Sequence, residues 1–516
     1  MKAEILWKTS VSIVLELTDC GYYESGETHR IYLNGVLADE SRKNVVTLSG
    51  LSADTEYDIR VVYGGTEVML NARTEREYAV LDVKRFGAKG DGVNNDTTFI
   101  QCAIMACPKN GRVYISEGRY KITPLFLKSD MILEISENAV LEAFTDREMF
   151  PVLPDRIECS DGVNEYLLGS WEGDPADSFA GIITGIGIQN VVITGKGTIN
   201  GCAGRDNWWY NHKVMRKAWR PHMIFLNKCR NVTVHGITVK NSPSWNIHPF
   251  FCEDINFYDI TVIGPKDSPN TDGLDPESCK NVNIVGAYFS VGDDCIAIKS
   301  GKIYMGARYK TPSQNIIIRQ CHMRDGHGSI VIGSEMAGGV LDVKVSECRF
   351  TDTDRGLRIK TRRGRGKDGI IDGIVFENII MDNVMVPVVF NMFYFCDADG
   401  HSEYVQSKEK YPVDERTPYL GHFTFRNIDA RNCNAAAAYM YGLPEQKIEE
   451  VIFENVNIEY AENPAEFMPA MLDGIDKVKG LGIYAKNVKR LVLKNTTISG
   501  QTGEAVIAED VDCLET

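Results

Sequence analysis

From about residue 180 onward the chain repeats one short pattern of apolar and polar positions. Apolar residues occupy alternate places, a small or polar residue follows, and another apolar residue often comes next. It reads Val191-Val192-Ile193-Thr194-Gly195, Val232-Thr233-Val234-His235-Gly236-Ile237 and Ile255-Asn256-Phe257-Tyr258-Asp259-Ile260. Further units begin at Val282, Ile316, Val343, Ile374, Phe423, Val451 and Leu491, and successive units start 23 to 49 residues apart. Alternation over stretches this short predicts strands. No long amphipathic helix separates the units, which excludes helical repeats. A propeller blade takes about 40–45 residues and four strands, more than the short intervals hold. The pattern therefore predicts a right-handed parallel β-helix. Short intervals are single coils, and long ones are coils with inserted loops or two coils. Equivalent positions of neighbouring coils then stack at roughly 4.8 Å.

The first 76 residues have a different rhythm. Val11, Ile13 and Leu15 alternate with Ser12, Val14 and Glu16, and Arg30 to Asn34, Val45 to Leu48 and Asp58 to Tyr63 are further candidate strands. Tyr57, following Leu51-Ser52-Ala53-Asp54-Thr55-Glu56 at the start of a strand, fits a tyrosine corner, whose hydroxyl pins the crossover between two sheets. The segment resembles a fibronectin type III module. The expected fold is all-β: a small sandwich over 1–76, a linker over 77–82 and the β-helix over 83–516. Asp96-Thr97-Thr98 is a candidate cap for one helix over 99–107, with Ile100, Ala103, Ile104 and Cys107 on the face that covers the open end of the solenoid.

Charge narrows the partners. The 516 residues carry 71 acidic and 56 basic side chains, a net charge of −15, so a general nucleic-acid binder is not expected. No run of about 18 apolar residues occurs, so no membrane span is expected. Glu4, Lys8 and Thr9 break the apolar run a secretory signal requires, which points to a cytoplasmic address and free thiols. Of the 14 cysteines, Cys229, Cys252 and Cys279 sit three residues before a unit start, and Cys321 and Cys348 five after one, so they are expected to stack as small core residues. No Cys-x-x-Cys pair occurs and the nine histidines lack ligand spacing; no metal or cofactor is expected.

Candidate chemistry lies in four segments: Asn270-Thr271-Asp272-Gly273, Gly292-Asp293-Asp294-Cys295, Gly326-His327-Gly328 and Arg358-Ile359-Lys360. Each follows its unit start by a similar offset, 11 to 17 residues, which places all four on one long face in consecutive coils. Singly, each reads as an ordinary turn or solvated loop. Together they gather three carboxylates, an imidazole, a guanidinium and an ammonium. That set suits acid/base cleavage of a glycosidic bond: one carboxyl protonates the leaving oxygen, another activates water, and a separation of ~6.5–9.5 Å accompanies inversion.

In this order the four segments resemble the signatures of the polygalacturonases, the family-28 glycoside hydrolases, over roughly residues 80–500. The resemblance implies a right-handed parallel β-helix and inverting hydrolysis of α-1,4-linked galacturonate. It implies Asp293 as general acid, Asp272 and Asp294 as the pair activating water, His327 as support for the acid's protonation and a substrate contact, and Arg358 and Lys360 as ligands of a galacturonate carboxylate. Lys299 is a further candidate for that carboxylate. Trp245 and His248 are candidates to line the cleft, Trp208 and Trp209 to wall one end of it, and Tyr394 to reach a subsite. The run 355–367 holds seven basic residues and no acid, which predicts a positive stripe that steers an acidic sugar. The N-terminal module, the loops near 145–180 and 203–222 and the 388–421 insert resemble bacterial exo-acting members. Competing expectations are a pectate lyase on the same fold, a hydrolase of rhamnogalacturonan or xylogalacturonan, and a non-catalytic carbohydrate-binding β-helix.

Overall fold

The computed structural model describes residues 1–161 and 164–516. One sheet of 28 strands winds through most of the chain, with its strands paired in parallel from coil to coil. The architecture is a right-handed parallel β-helix preceded by a small β-sandwich. The ten unit starts lie in one unbroken column: Val191 pairs with Val232, and the register continues through Ile255, Val282, Ile316, Val343, Ile374, Phe423 and Val451 to Leu491. Every interval, long or short, is thus a single coil, and the longer ones carry loops.

The column exists because like residues stack on like. Phe376, Phe425 and Phe453 are register partners whose rings pack at centroid distances of 5.7 and 5.0 Å. Burying each such ring contributes about 1.5–3 kcal/mol. At the corners, asparagines take positive φ and bond to one another: Asn427 Nδ2 donates to Asn378 Oδ1 at 3.0 Å, and Asn455 and Asn495 continue the ladder at 3.1 Å each. Asparagine tolerates the left-handed region better than other side chains, so these coils turn without glycine, whereas Gly195, Gly236 and Gly286 take the same corner in earlier coils. The cysteines form a similar column: the Cys229 amide donates to Cys252 Sγ at 3.3 Å, and the Cys252 amide to Cys279 Sγ at 3.4 Å. All 14 cysteines are free.

The helix spans Thr97–Ala106 and buries Ile100, Ala103 and Ile104 in the solenoid's end. Asp96 does not cap it through its side chain. Its carboxylate instead accepts the amides of Lys89 and Gly90 and ties down the preceding turn. The solenoid also begins earlier than expected. Val80–Asp82 already pairs with 112–114, so the segment at 77–82 is a linker only in its first residues.

In the N-terminal module, a three-stranded and a four-stranded antiparallel sheet enclose Ile13, Leu15, Ile31, Ile59 and Val61. The Tyr57 hydroxyl accepts the Ser52 amide at 2.9 Å, which completes the tyrosine corner. Val14 and Val45 pack on Tyr258 and Val285 of the solenoid, Glu16 pairs with Arg319 at 2.5 Å, and Lys43 pairs with Asp259. The module is therefore docked on the solenoid flank. Among the described residues, no helix is long and apolar enough to cross a membrane.

Candidate active site

Four stacked turns and the strands that follow them build the site. The strand Ile296–Ile298 pairs with Ile330–Ile332, which pairs with 357–359. Ile296, Ile298, Leu357 and Ile359 point into the core. Alternation along a strand sends their neighbours Lys299, Arg358 and Lys360 to the outer face. The turns before these strands are stacked by their own peptides. Gly273 N donates to Asp294 O at 2.9 Å, Cys295 N to Gly328 O at 2.8 Å and His327 N to Asp293 O at 3.1 Å. The offsets read from the sequence thus bring Asp272, Asp293, Asp294, His327, Arg358 and Lys360 together.

Asp272, Asp293 and Asp294 each place a carboxylate oxygen within 4.8 Å of the others. This grouping is tighter than the ~6.5–9.5 Å expected of an acid and base with water between them. Asp294 is buried, with Oδ1 accepting Arg358 Nη1 at 3.2 Å and Oδ2 accepting Lys360 Nζ at 2.7 Å. Burial works to raise its pKa, but Lys360 and Arg358 outweigh burial and hold it well below the ordinary carboxylate range. Asp293 goes the other way, raised by burial and by the charge on Asp294. Asp272 is raised further, by burial and by Asp275 beside it. One carboxylate is therefore kept ionised and the two beside it are biased toward protonation. Gly328 makes room for this pairing: a Cβ there would lie 2.4 Å from Val331 Cγ2 and 3.2 Å from Asp294 Oδ1.

His327 is exposed and bonds through Nδ1 to Asp354 at 2.8 Å, and that bond chiefly raises its pKa. Its positive charge lowers the pKa of Asp293. The charge of a protonated His327 thus works against a proton on Asp293, while burial and the charge of Asp294 work for one.

Other expectations need correcting. Lys299 is enclosed, 3.1 Å from Glu335 and 3.8 Å from Asp272, so its charge is already matched inside the protein. Trp245 is 3% exposed and His248 0%, so they lie behind the cleft wall and do not form its surface. His248 Nε2 meets Glu277 at 2.9 Å in full burial. Burial lowers the histidine to about 3 and raises the glutamate to about 8, so the contact is a neutral hydrogen bond and not an ion pair. Trp208, also 0% exposed, packs edge-on against Phe150 and Phe179, and Trp209 is buried with its indole N–H on Ser242 O. Tyr394 does reach the site: its ring centroid is 5.5 Å from Lys360 Nζ and 6.0 Å from Arg358 Cζ.

The basic run 355–367 is not a solvent-facing stripe. Arg362 pairs with Asp397 and Asp399, Arg363 with Glu445 and Arg365 with Asp397. Arg355 donates to the carbonyls of Met468 and Pro469. The acids are absent from the local sequence because the 393–418 insert and a later turn supply them. The arginines act as struts that hold those loops over the site. Residues without a motif complete the walls. Asp354 orients His327, Met471 Sδ lies 2.7 Å from Arg358 Nη2, and Trp171 stacks between Trp219 and Trp245 at 4.7 and 6.3 Å. Asp354 was within reach of the coil-offset argument, being next to Arg355. Met471, Trp171 and Trp219 come from loops whose return to the site has no local signal.

A parallel β-helix that gathers three carboxylates beside a buried arginine and lysine suits a glycoside hydrolase site. The model of the glycosyl hydrolases family 28 matches residues 161–470, and that of the rhamnogalacturonase A/epimerase, pectate lyase-like group matches 80–133. The chain is 30% identical to a probable polygalacturonase of Vitis vinifera over 384 residues, 73% of each chain. It is 33% identical to an endo-polygalacturonase of Pectobacterium carotovorum subsp. carotovorum over 377 residues, 70% of this chain and 84% of the relative. The solved family 28 exopolygalacturonase of Yersinia enterocolitica superposes with a TM-score of 0.74 at 19% identity, covering 100% of this chain and 98% of that one. The protein belongs to glycosyl hydrolase family 28, the polygalacturonase family.

Proposed function

We propose that this hydrolase removes galacturonate units from one end of α-1,4-linked oligogalacturonides, with inversion at the anomeric carbon. The observation that carries the reading is the charge balance around Asp294. Two buried cations, Arg358 and Lys360, face one ionised carboxylate. The surplus positive charge suits a uronate carboxylate, with Arg358 offering a planar fork and Lys360 a point charge. Asp293, biased toward protonation, gives its proton to the leaving oxygen. Asp294 takes the proton of the attacking water, with Asp272 holding that water from the next coil.

The loops support action from an end. Lys302 Nζ lies 3.3 Å from Asp174 and 3.3 Å from Asp397, so it joins the 145–180 loop to the 393–418 insert beside the aspartates. This turns an open groove toward a pocket. Such a pocket suits short oligogalacturonides. The test is product analysis on end-labelled oligogalacturonides, with the first-formed anomer followed by proton NMR. A monomer or dimer ladder from one end and an inverted anomer are expected. A broad size distribution refutes end-first action, a retained anomer refutes inversion, and product absorbing near 235 nm marks a lyase.

A further inference from the structure

Lys299 has the environment of a buried structural charge, yet it touches the catalytic cluster. Its ammonium lies 3.1 Å from Glu335, 3.8 Å from Asp272 and 3.9 Å from Asp275, with the Trp245 ring centroid 4.4 Å away. Burial works against the charge on Lys299, but Glu335, Asp275 and Asp272 outweigh it and keep the ammonium protonated. Of its three carboxylate neighbours only Glu335 takes a direct hydrogen bond, and Glu335 is held ionised against burial by Lys299, Lys360, Lys302 and Arg365. Neither oxygen of Asp275 has a hydrogen-bond partner. Asp272 also faces Asp293 and Asp294 from the next coil. His248, neutral, borders Lys299 from the preceding coil. One cation is thus shared between an ionised glutamate and the aspartate that faces the reaction.

We propose that Lys299 and Glu335 form a positioning pair that sets the charge on Asp272: Lys299 draws negative charge onto it, and Glu335 limits how far by competing for the same ammonium. The inference rests on the assignment of Asp272 to the attacking water. It has a signature that a merely structural role lacks, because the two residues act with opposite sign. Removing the cation makes Asp272 harder to ionise, and removing the competing carboxylate makes it easier.

The experiment is the pH profile of kcat and of kcat/KM on oligogalacturonate for the whole protein carrying Lys299→Met, Lys299→Arg or Glu335→Gln. The acidic limb reports the apparent pKa of the coupled cluster. Lys299→Met should move that limb to higher pH by roughly one unit, as expected for loss of a charge at this range, and should lower kcat more than it changes KM. Glu335→Gln should move it to lower pH, and Lys299→Arg should restore the wild-type limb. Limbs that stay in place, limbs that move in the same direction, or a loss confined to KM overturn the proposal. If Lys299→Met does not fold, the direction of the Glu335→Gln limb and the Lys299→Arg rescue decide it. Asp272→Asn is measured alongside. Full turnover there overturns the role of Asp272 and this inference with it, whereas lost turnover without opposed limbs overturns this inference alone.

Discussion

Replacing Lys360 by methionine tests the electrostatic core of the site. The Lys360 ammonium lies 2.7 Å from Asp294 Oδ2 and Arg358 lies 3.2 Å from Oδ1, all in buried surroundings. Removing one partner of a buried pair leaves an uncompensated charge and costs about 3–5 kcal/mol. Arg358 remains, so the lower end applies, about 3 kcal/mol. A chain of 516 residues has an unfolding entropy of about 1.1 kcal/mol/K, so the melting temperature should fall by about 3 °C. The sign with pH follows from linkage. Asp294 has a depressed folded pKa, so its stabilisation is present above the ordinary carboxyl value of about 3.9 and is lost as pH falls through the folded value. The variant depresses that value less. The gap between the two melting temperatures should therefore be full near neutral pH and narrow below about pH 4. kcat/KM should fall by about 10²-fold or more, since Asp294 loses part of its bias to stay ionised and the substrate loses a cation. Scanning calorimetry at both pH values, with initial rates at neutral pH, measures this. A neutral-pH gap under about 1 °C, or one that does not narrow in acid, refutes the claim that Lys360 holds Asp294 ionised.

Asp293→Asn should lower turnover by about 10²–10⁴-fold while calorimetric affinity for oligogalacturonide is kept; undiminished turnover removes Asp293 from the acid role. Asp354→Asn should return the His327 imidazole toward its ordinary value of about 6.5. An NMR titration should then show His327 losing its proton at lower pH than in the wild type, and an unchanged titration refutes the part given to the Asp354 bond. Glu445→Gln strands Arg363, whose side chain like that of Glu445 is 1% exposed, and should cost about 3–5 kcal/mol. Faster proteolysis within the 393–418 insert is the expected readout, and an unchanged rate argues against the strut.

The column of unit starts from Val191 to Leu491 was legible in the sequence, because in a solenoid each coil contacts its neighbours and the pattern of one coil is the pattern of all. The same locality made the four motifs legible: Asp272, Asp293, Asp294, His327, Arg358 and Lys360 are ordered along the chain as they are along the groove. What the tertiary structure decided lies at right angles to that order. Lys299 reads as a free cation until Glu335 arrives from a turn three strands later. The arginines at 355–365 read as a positive stripe until Asp397, Asp399 and Glu445 meet them. His327 reads as a helper of the acid until Asp354 fixes its charge. Spacing along a repeating backbone fixes which residues share a face. The charge each one carries depends on burial and on partners brought by loops, whose path no local pattern records.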